Sequence, residues 1–219
     1  WHSCAPPGAS QYAVAEAGGG LWVASTQALW RIDPATGRCL LTVGLPAGLQ
    51  IVSLLASRDG AVLYVGLGAS PPGPAVEARD PIDGHLLAGP AYLPGTATVR
   101  LVYADTSGLW VSYPTGMLAA VTKLAPDTLT GVTELGLGDG DDAEAGTNGL
   151  VAVADQKRVV VATLDQLDCY PSGSTRPATT STANGAPLAV DGEHLYLAVW
   201  PNNNGKAAGI ETVPLPAGC

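Results

Sequence analysis

The sequence predicts an all-β fold, a five-bladed β-propeller with four antiparallel strands to each blade. Two observations carry this. Five prolines, Pro34, Pro81, Pro126, Pro171 and Pro214, recur at intervals of 47, 45, 45 and 43 residues, the period of one blade. The text around them also repeats. Leu29-Trp-Arg-Ile-Asp-Pro-Ala-Thr-Gly37 is echoed by Val76-Glu-Ala-Arg-Asp-Pro-Ile-Asp-Gly84, with fainter copies at Lys123–Gly131, Cys169–Gly173 and Thr212–Gly218. The five units, roughly 11–46, 50–93, 97–137, 147–183 and 186–219, use up the chain and read as one domain.

Each unit has the same internal order. A first strand of small apolar residues is innermost: Gln11–Ala15, Ile51–Ser57, Val99–Ala104, Gly149–Ala154 and Ala186–Val190. The second carries aromatic or β-branched residues: Leu21–Ser25, Val62–Gly66, Leu109–Ser112, Val159–Thr163 and Leu195–Trp200. The third leads into the proline turn, and a fourth such as Leu40–Gly44 or Val132–Leu137 forms the outer edge. The fifth unit stops at Cys219, which aligns with Cys39 at the start of the first unit's outer strand. The last blade is therefore expected to be incomplete or closed by Trp1–Ser10, with Trp1–Cys4 packed on its edge, because an unpaired edge invites association. Alternation along the inner strands predicts that Ala13, Ala15, Ala56, Ala104, Ala152 and Ala154 face the axis, with Arg100 plugging it.

Composition bounds the chemistry. Phe is absent, which leaves Trp22, Trp30, Trp110 and Trp200 to supply the bulky packing. A net charge of −9 with ten basic residues argues against nucleic acid and against anionic membrane surfaces, both of which require clustered Lys and Arg. No apolar run reaches membrane-spanning length. The first residue is Trp1, so any signal peptide is expected to have been removed.

Gly20-Leu-Trp-Val-Ala-Ser25 followed by Leu29–Gly37, with Gly108-Leu-Trp-Val-Ser112 repeating the first half, resembles the bacterial YVTN and PQQ-like propeller repeats. The resemblance is clearest in the first two or three units. It implies blade architecture, with Asp-Pro-x-x-Gly shaping a turn, and membership of a group that includes ligand-binding, surface and enzyme proteins. It transfers no catalytic residue.

Several side-chain groups carry alternative readings. Glu16, Asp59, Asp105, Asp155 and Asp191 each follow an innermost strand and would circle one mouth of a ring. They read either as turn formers, as in Asp59-Gly60, or as a hard-cation site suited to Ca²⁺. Asp139–Glu144 lacks calcium-loop spacing and reads as a solvated loop. The histidines His2, His85 and His194 have no partner at metal or triad spacing. Ser172, Ser174, Thr175, Thr179, Thr180, Ser181 and Thr182 lie in a Ser/Thr-rich segment that reads as a solvent-facing edge or as O-glycosylation sites.

The cysteines Cys4, Cys39, Cys169 and Cys219 form no C-x-x-C; structural disulfides in an oxidising compartment are expected, with buried free thiols in a cytosolic protein as the other reading. Two pairings stay open. One has two bridges, Cys4–Cys39 with Cys169–Cys219, and the other has a single Cys4–Cys219 staple. The functional expectation is a secreted or cell-surface, non-catalytic propeller binding a protein or glycan partner. The alternatives are a self-assembling structural subunit joined through the fifth blade's edge, and a lyase or glycan-active hydrolase with its site in the central funnel.

Overall fold

The computed structural model describes residues 13–46, 48–70, 73–94, 98–115, 118–135, 151–154, 157–162, 167–171, 174–181, 186–190, 193–199, 208–215 and 219. These residues form five antiparallel sheets of propeller type and no helix. Trp1–Ser10, Asp139–Glu144, Trp200 and Asn202–Gly205 lie outside them.

Sheet one runs β1 (Ala13–Ala17), β2 (Gly20–Ala24), β3 (Ala28–Ile32), β4 (Cys39–Gly44). Sheet two runs β5 (Gln50–Ala56), β6 (Leu63–Ser70), β7 (Gly73–Arg79), β8 (Leu86–Tyr92). Sheet three is β9 (Arg100–Asp105), β10 (Gly108–Thr115), β11 (Leu118–Leu124), β12 (Gly131–Leu135), and sheet four is β13 (Val151–Ala154), β14 (Arg158–Ala162), β15 (Leu167–Pro171), β16 (Thr179–Ser181). Sheet five has three described strands, β17 (Ala186–Val190), β18 (His194–Val199) and β19 (Gly209–Pro214). Strand order follows chain order throughout, as it must when each strand returns beside its predecessor through a short turn.

The chain divides into two compact units, residues 1–116 with 122–132, and 117–121 with 133–219. In the first, Trp22, Ala24, Leu29, Ile51, Leu63, Val65, Leu67 and Ala75 form one buried apolar cluster between sheets one and two. Backbone bonds stitch the same sheets: Gly18 N donates to Gly60 O (3.0 Å) and Ile51 N to Thr26 O (2.9 Å). Trp22 Nε1 reaches from sheet one to Pro81 O at 3.1 Å. Gly18 has to be glycine, since its φ is +56° and an added Cβ would lie 2.8 Å from Pro81 O, too close for any L side chain. Trp22, Trp30 and Trp110 are buried as expected.

In the second unit, Val160, Leu167, Cys169, Leu195 and Leu197 form a smaller cluster that Val190, Val213, Leu215 and Cys219 cover. A disulfide joins Cys169 to Cys219 (Cα–Cα 5.7 Å), which overturns the single Cys4–Cys219 staple. Cys39 is also disulfide-bonded, to a partner outside the described residues.

The proline turns follow one plan. Asp33 Oδ1 accepts from Ala35 N at 2.9 Å, Asp80 Oδ1 from Ile82 N at 2.6 Å, and Gly37 and Gly84 close the turns at φ +69° and +74°, an Asx turn ended by a left-handed residue. At the third turn the equivalent residue is Leu129, also left-handed (φ 55°); the repeat holds its geometry there at the cost of about 1–2 kcal/mol of local strain.

The axial parity expected of the inner strands is overturned for Ala13, Ala15 and Ala56, while the side chains of Ala152 and Ala154 lie outside what the structure describes. Ala13, Ala15 and Ala56 pack against the cluster between sheets one and two, whereas Val14 is 56% exposed. Side chains alternate between the two faces of a sheet, and here a face packs on the neighbouring sheet. Ala13 and Ala15 lie directly across from Ala24 and Trp22 and share their buried face. Arg100 is exposed at the start of β9 and has no carboxylate partner among the described residues.

Candidate functional site

The acidic positions after the inner strands are first of all turn chemistry. Asp59 Oδ1 accepts from Ser57 Oγ at 2.6 Å and Ala61 N at 3.1 Å. Those bonds, Ser57's foremost, hold its carboxyl below the usual range despite the opposing effect of desolvation. Asp105 Oδ1 accepts from Ser107 N at 2.7 Å and Ser107 Oγ at 2.6 Å. Glu16 is exposed near the end of β1, while Asp155 and Asp191 lie outside the described residues. Of the Ser/Thr-rich segment, Ser174 Oγ bonds Arg176 O at 2.7 Å and Thr175 is exposed. Thr179, Thr180 and Ser181 pair along β16 with Cys169, Asp168 and Leu167; Ser172 and Thr182 lie outside.

The turn of sheet two gathers groups that sequence reasoning left apart. Asp80, Asp83 and His85 place their ligand atoms within 4.8 Å of one another, so the expectation that no histidine has a partner at metal spacing is corrected at His85. His85 Nδ1 lies 2.6 Å from Asp83 Oδ1. The amide and ring of His85 hold the Asp83 carboxyl below its usual range. One imidazole and two carboxylates make a donor set acceptable to a borderline divalent ion. The same oxygens already serve the turn, however: Asp83 Oδ1 accepts from His85 N at 3.0 Å and Asp80 Oδ1 from Asp83 N at 3.3 Å. The trace of it in the sequence is Asp-x-x-Asp-x-His, which gathers only once the left-handed Gly84 turns residues 83 and 85 back towards Asp80.

Between sheets two and three, Arg58 N donates to Ala104 O at 3.2 Å and Ser53 Oγ to Val99 O at 3.0 Å. The first bond brings the Asp59 turn beside Asp105. Tyr64 on β6 is 1% exposed. Burial pushes its phenol up to about 12, and the carboxylates of Asp127, Asp59 and Asp105 add to the shift. A buried ion pair lies elsewhere in sheet two, where Arg79 Nη2 and Nε donate to Glu77 Oε2 at 2.7 and 2.9 Å and Arg79 Nη1 to Gly84 O at 2.8 Å.

No protein family matches the chain, and no curated protein matches it. Solved structures do. It is similar to a chain of the mitotic checkpoint complex (TM-score 0.63, 16% identity), covering 93% of this chain and 63% of that one. It is similar to hydrazine synthase of Kuenenia stuttgartiensis (TM-score 0.66, 15% identity; 99% of this chain, 66% of that one). A protein of unknown function from Bacteroides caccae is a third (TM-score 0.58, 14% identity; 95% and 79%). The chain thus spans just under two thirds of the first two. At such identities the likeness concerns the fold alone, and these neighbours are propeller-type folds.

Proposed function

We propose that the chain is a five-bladed propeller of the YVTN/PQQ-like kind, secreted or at the cell surface, that acts as a non-catalytic binding module for a protein or glycan partner. The observation behind this reading is where large apolar side chains stay in water. Leu40 on β4, Leu86, Leu87 and Tyr92 on β8, and Val132 on β12, all on the outer strands of their sheets, are 44 to 60% exposed, as are Val14 on β1 and Ile82 in the second proline turn, while the second and third strands hold most of the buried core. Apolar groups concentrated on edges, above a rigid scaffold, suit a surface that another molecule covers. The Cys169–Cys219 bridge fits an oxidising compartment, and among the described residues no helix is long and apolar enough to cross a membrane. Cross-linking of the protein in its native extracellular fraction, with the linked peptides mapped, tests the reading. Cross-links concentrated on β4, β8 and β12 support it, and an even scatter refutes it.

A second reading, self-assembly, has its own observation. Among the described residues β19 is hydrogen-bonded on one side only, and Ile210 on it is 71% exposed. Strand addition by a second copy would satisfy that edge. Sedimentation that shifts to monomer when Ile210→Lys is introduced supports assembly; a monomeric wild-type protein removes it.

A further inference from the structure

Sheet one turns one face to sheet two, where Ala13, Ala15, Trp22, Ala24 and Leu29 pack. Its opposite face is built from two rows of directly paired residues, which point the same way in antiparallel strands. Val14, Val23, Trp30 and Thr42 make one row, and Glu16, Leu21, Ile32 and Cys39 the other. Trp30 does not belong to the cluster that faces sheet two, yet it is 3% exposed. Val14 and Thr42, at the two ends of its row, are exposed. A packed sheet would bury the whole row, whereas cover over its middle alone is what a single chain segment gives.

The second row ends on a covalent link. Cys39 is disulfide-bonded, and its Sγ stands 3.9 Å from Thr42 Oγ1, on the Trp30 face. Cys169 and Cys219 are joined to each other, so of the four cysteines in the sequence Cys4 alone is left to bridge Cys39 within the chain. Length permits it. β1 begins at Ala13, nine residues after Cys4, and an extended segment of that length reaches about 30 Å. Crossing from β1 to β4 takes three strand spacings, about 14 Å. Pro6 and Pro7 work against a helix that would shorten the reach.

We propose that the Trp30 face of sheet one is the docking site of the chain's own residues 1–12, a strap latched to β4 by a Cys4–Cys39 bridge. Sheet two already fills the other face, which leaves this one as the path from β1 to Cys39. The strap shields the indole and commits the start of the chain to sheet one, not to the edge of β19 where the sequence alone would put it. While the bridge stands, this apolar face is closed to other molecules, and partners are left with the outer strands.

The test begins with the native protein, unfolded in urea and digested with trypsin without reduction. Arg31, Arg38 and Arg58 bound the relevant peptides, and residues 1–31 should be recovered joined to residues 39–58. Cys39 joined to anything else, a second copy's Cys39 included, overturns the proposal. Hydroxyl-radical footprinting, read residue by residue in a mass spectrometer, then identifies what covers Trp30. In the intact protein Trp30 and Trp22 should both be protected. Removing residues 1–8 together with Cys39→Ala should cost Trp30 its protection and leave Trp22, buried against sheet two, as before. Continued protection of Trp30 overturns the strap. Oxidation of both indoles means that the shortened chain has unfolded. Cys4→Ala/Cys39→Ala, which keeps every residue, then takes its place: faster oxidation of Trp30 than of Trp22 supports the latch, and equal protection overturns it. The peptide map, made on the native protein, decides the bridge whichever variant folds.

Discussion

Removing the Cys169–Cys219 bridge should cost the protein about 4 kcal/mol. The bridge closes a loop of sequence separation 50. The chain-entropy relation gives that figure for the freedom such a link withdraws from the unfolded chain. The double variant Cys169→Ala/Cys219→Ala isolates the effect, because Cys169 sits in an apolar cluster where alanine leaves no unpaired polar group. With a urea dependence of about 2 kcal/mol per molar, the unfolding midpoint should fall by roughly 2 M. Far-ultraviolet circular dichroism of the native state should stay the same, since the loss arises in the unfolded chain. A destabilisation below about 1 kcal/mol would refute the reasoning. It would mean that the packing of Val213, Leu215 and Cys219 against Leu195 and Leu197, and not the covalent link, holds the end of the chain.

Two further outcomes follow from buried polar groups. Glu77→Gln should destabilise by about 3–5 kcal/mol, because Arg79 is left charged and uncompensated inside sheet two; Glu77→Leu/Arg79→Met should recover most of that, and equal losses in urea unfolding of both variants would contradict it. The phenol of Tyr64 is raised to about 12, above its value of about 10 in the unfolded chain. Its contribution to stability is therefore complete below pH 10 and lost as the pH climbs towards 12, by about 1.4 kcal/mol per pH unit. Ultraviolet titration should show one tyrosinate forming last, and its loss in Tyr64→Phe identifies it.

The strands were legible because each is an apolar run bounded by Gly, Pro or Asp, and the observed starts of β5, β9, β13 and β17 fall within two residues of the expected ones. Turn chemistry was legible for the same reason, since Asp33 and Asp80 act locally. What escaped depends on the third dimension. The parity of Ala13 and Ala15 was misread because a small side chain suits a crowded axis and a face packed on a neighbouring sheet equally well, although Glu16 beside Val14 already marked the opposite face as the solvated one; packing against the cluster that holds Trp22 decides it. The Asp80–Asp83–His85 gathering needed the left-handed bend at Gly84, and the third turn sets Leu129, three residues after Pro126, in the left-handed place that Gly37 and Gly84 hold.

A chain of near-copies runs the risk of assembling in the wrong order, with one unit's third strand taking another's berth. Glu77 and Arg79 lie across from Val65 and Leu63, where the corresponding strand of sheet one carries Trp30 and Ile32 across from Val23 and Leu21. Exchanging the two strands would push an indole into a space shaped for an ion pair and seat two charges in an indole's place. The pair thus works as a label, giving sheet two an identity that its repeated turn motif withholds, and any effort to regularise the units by consensus would erase it first.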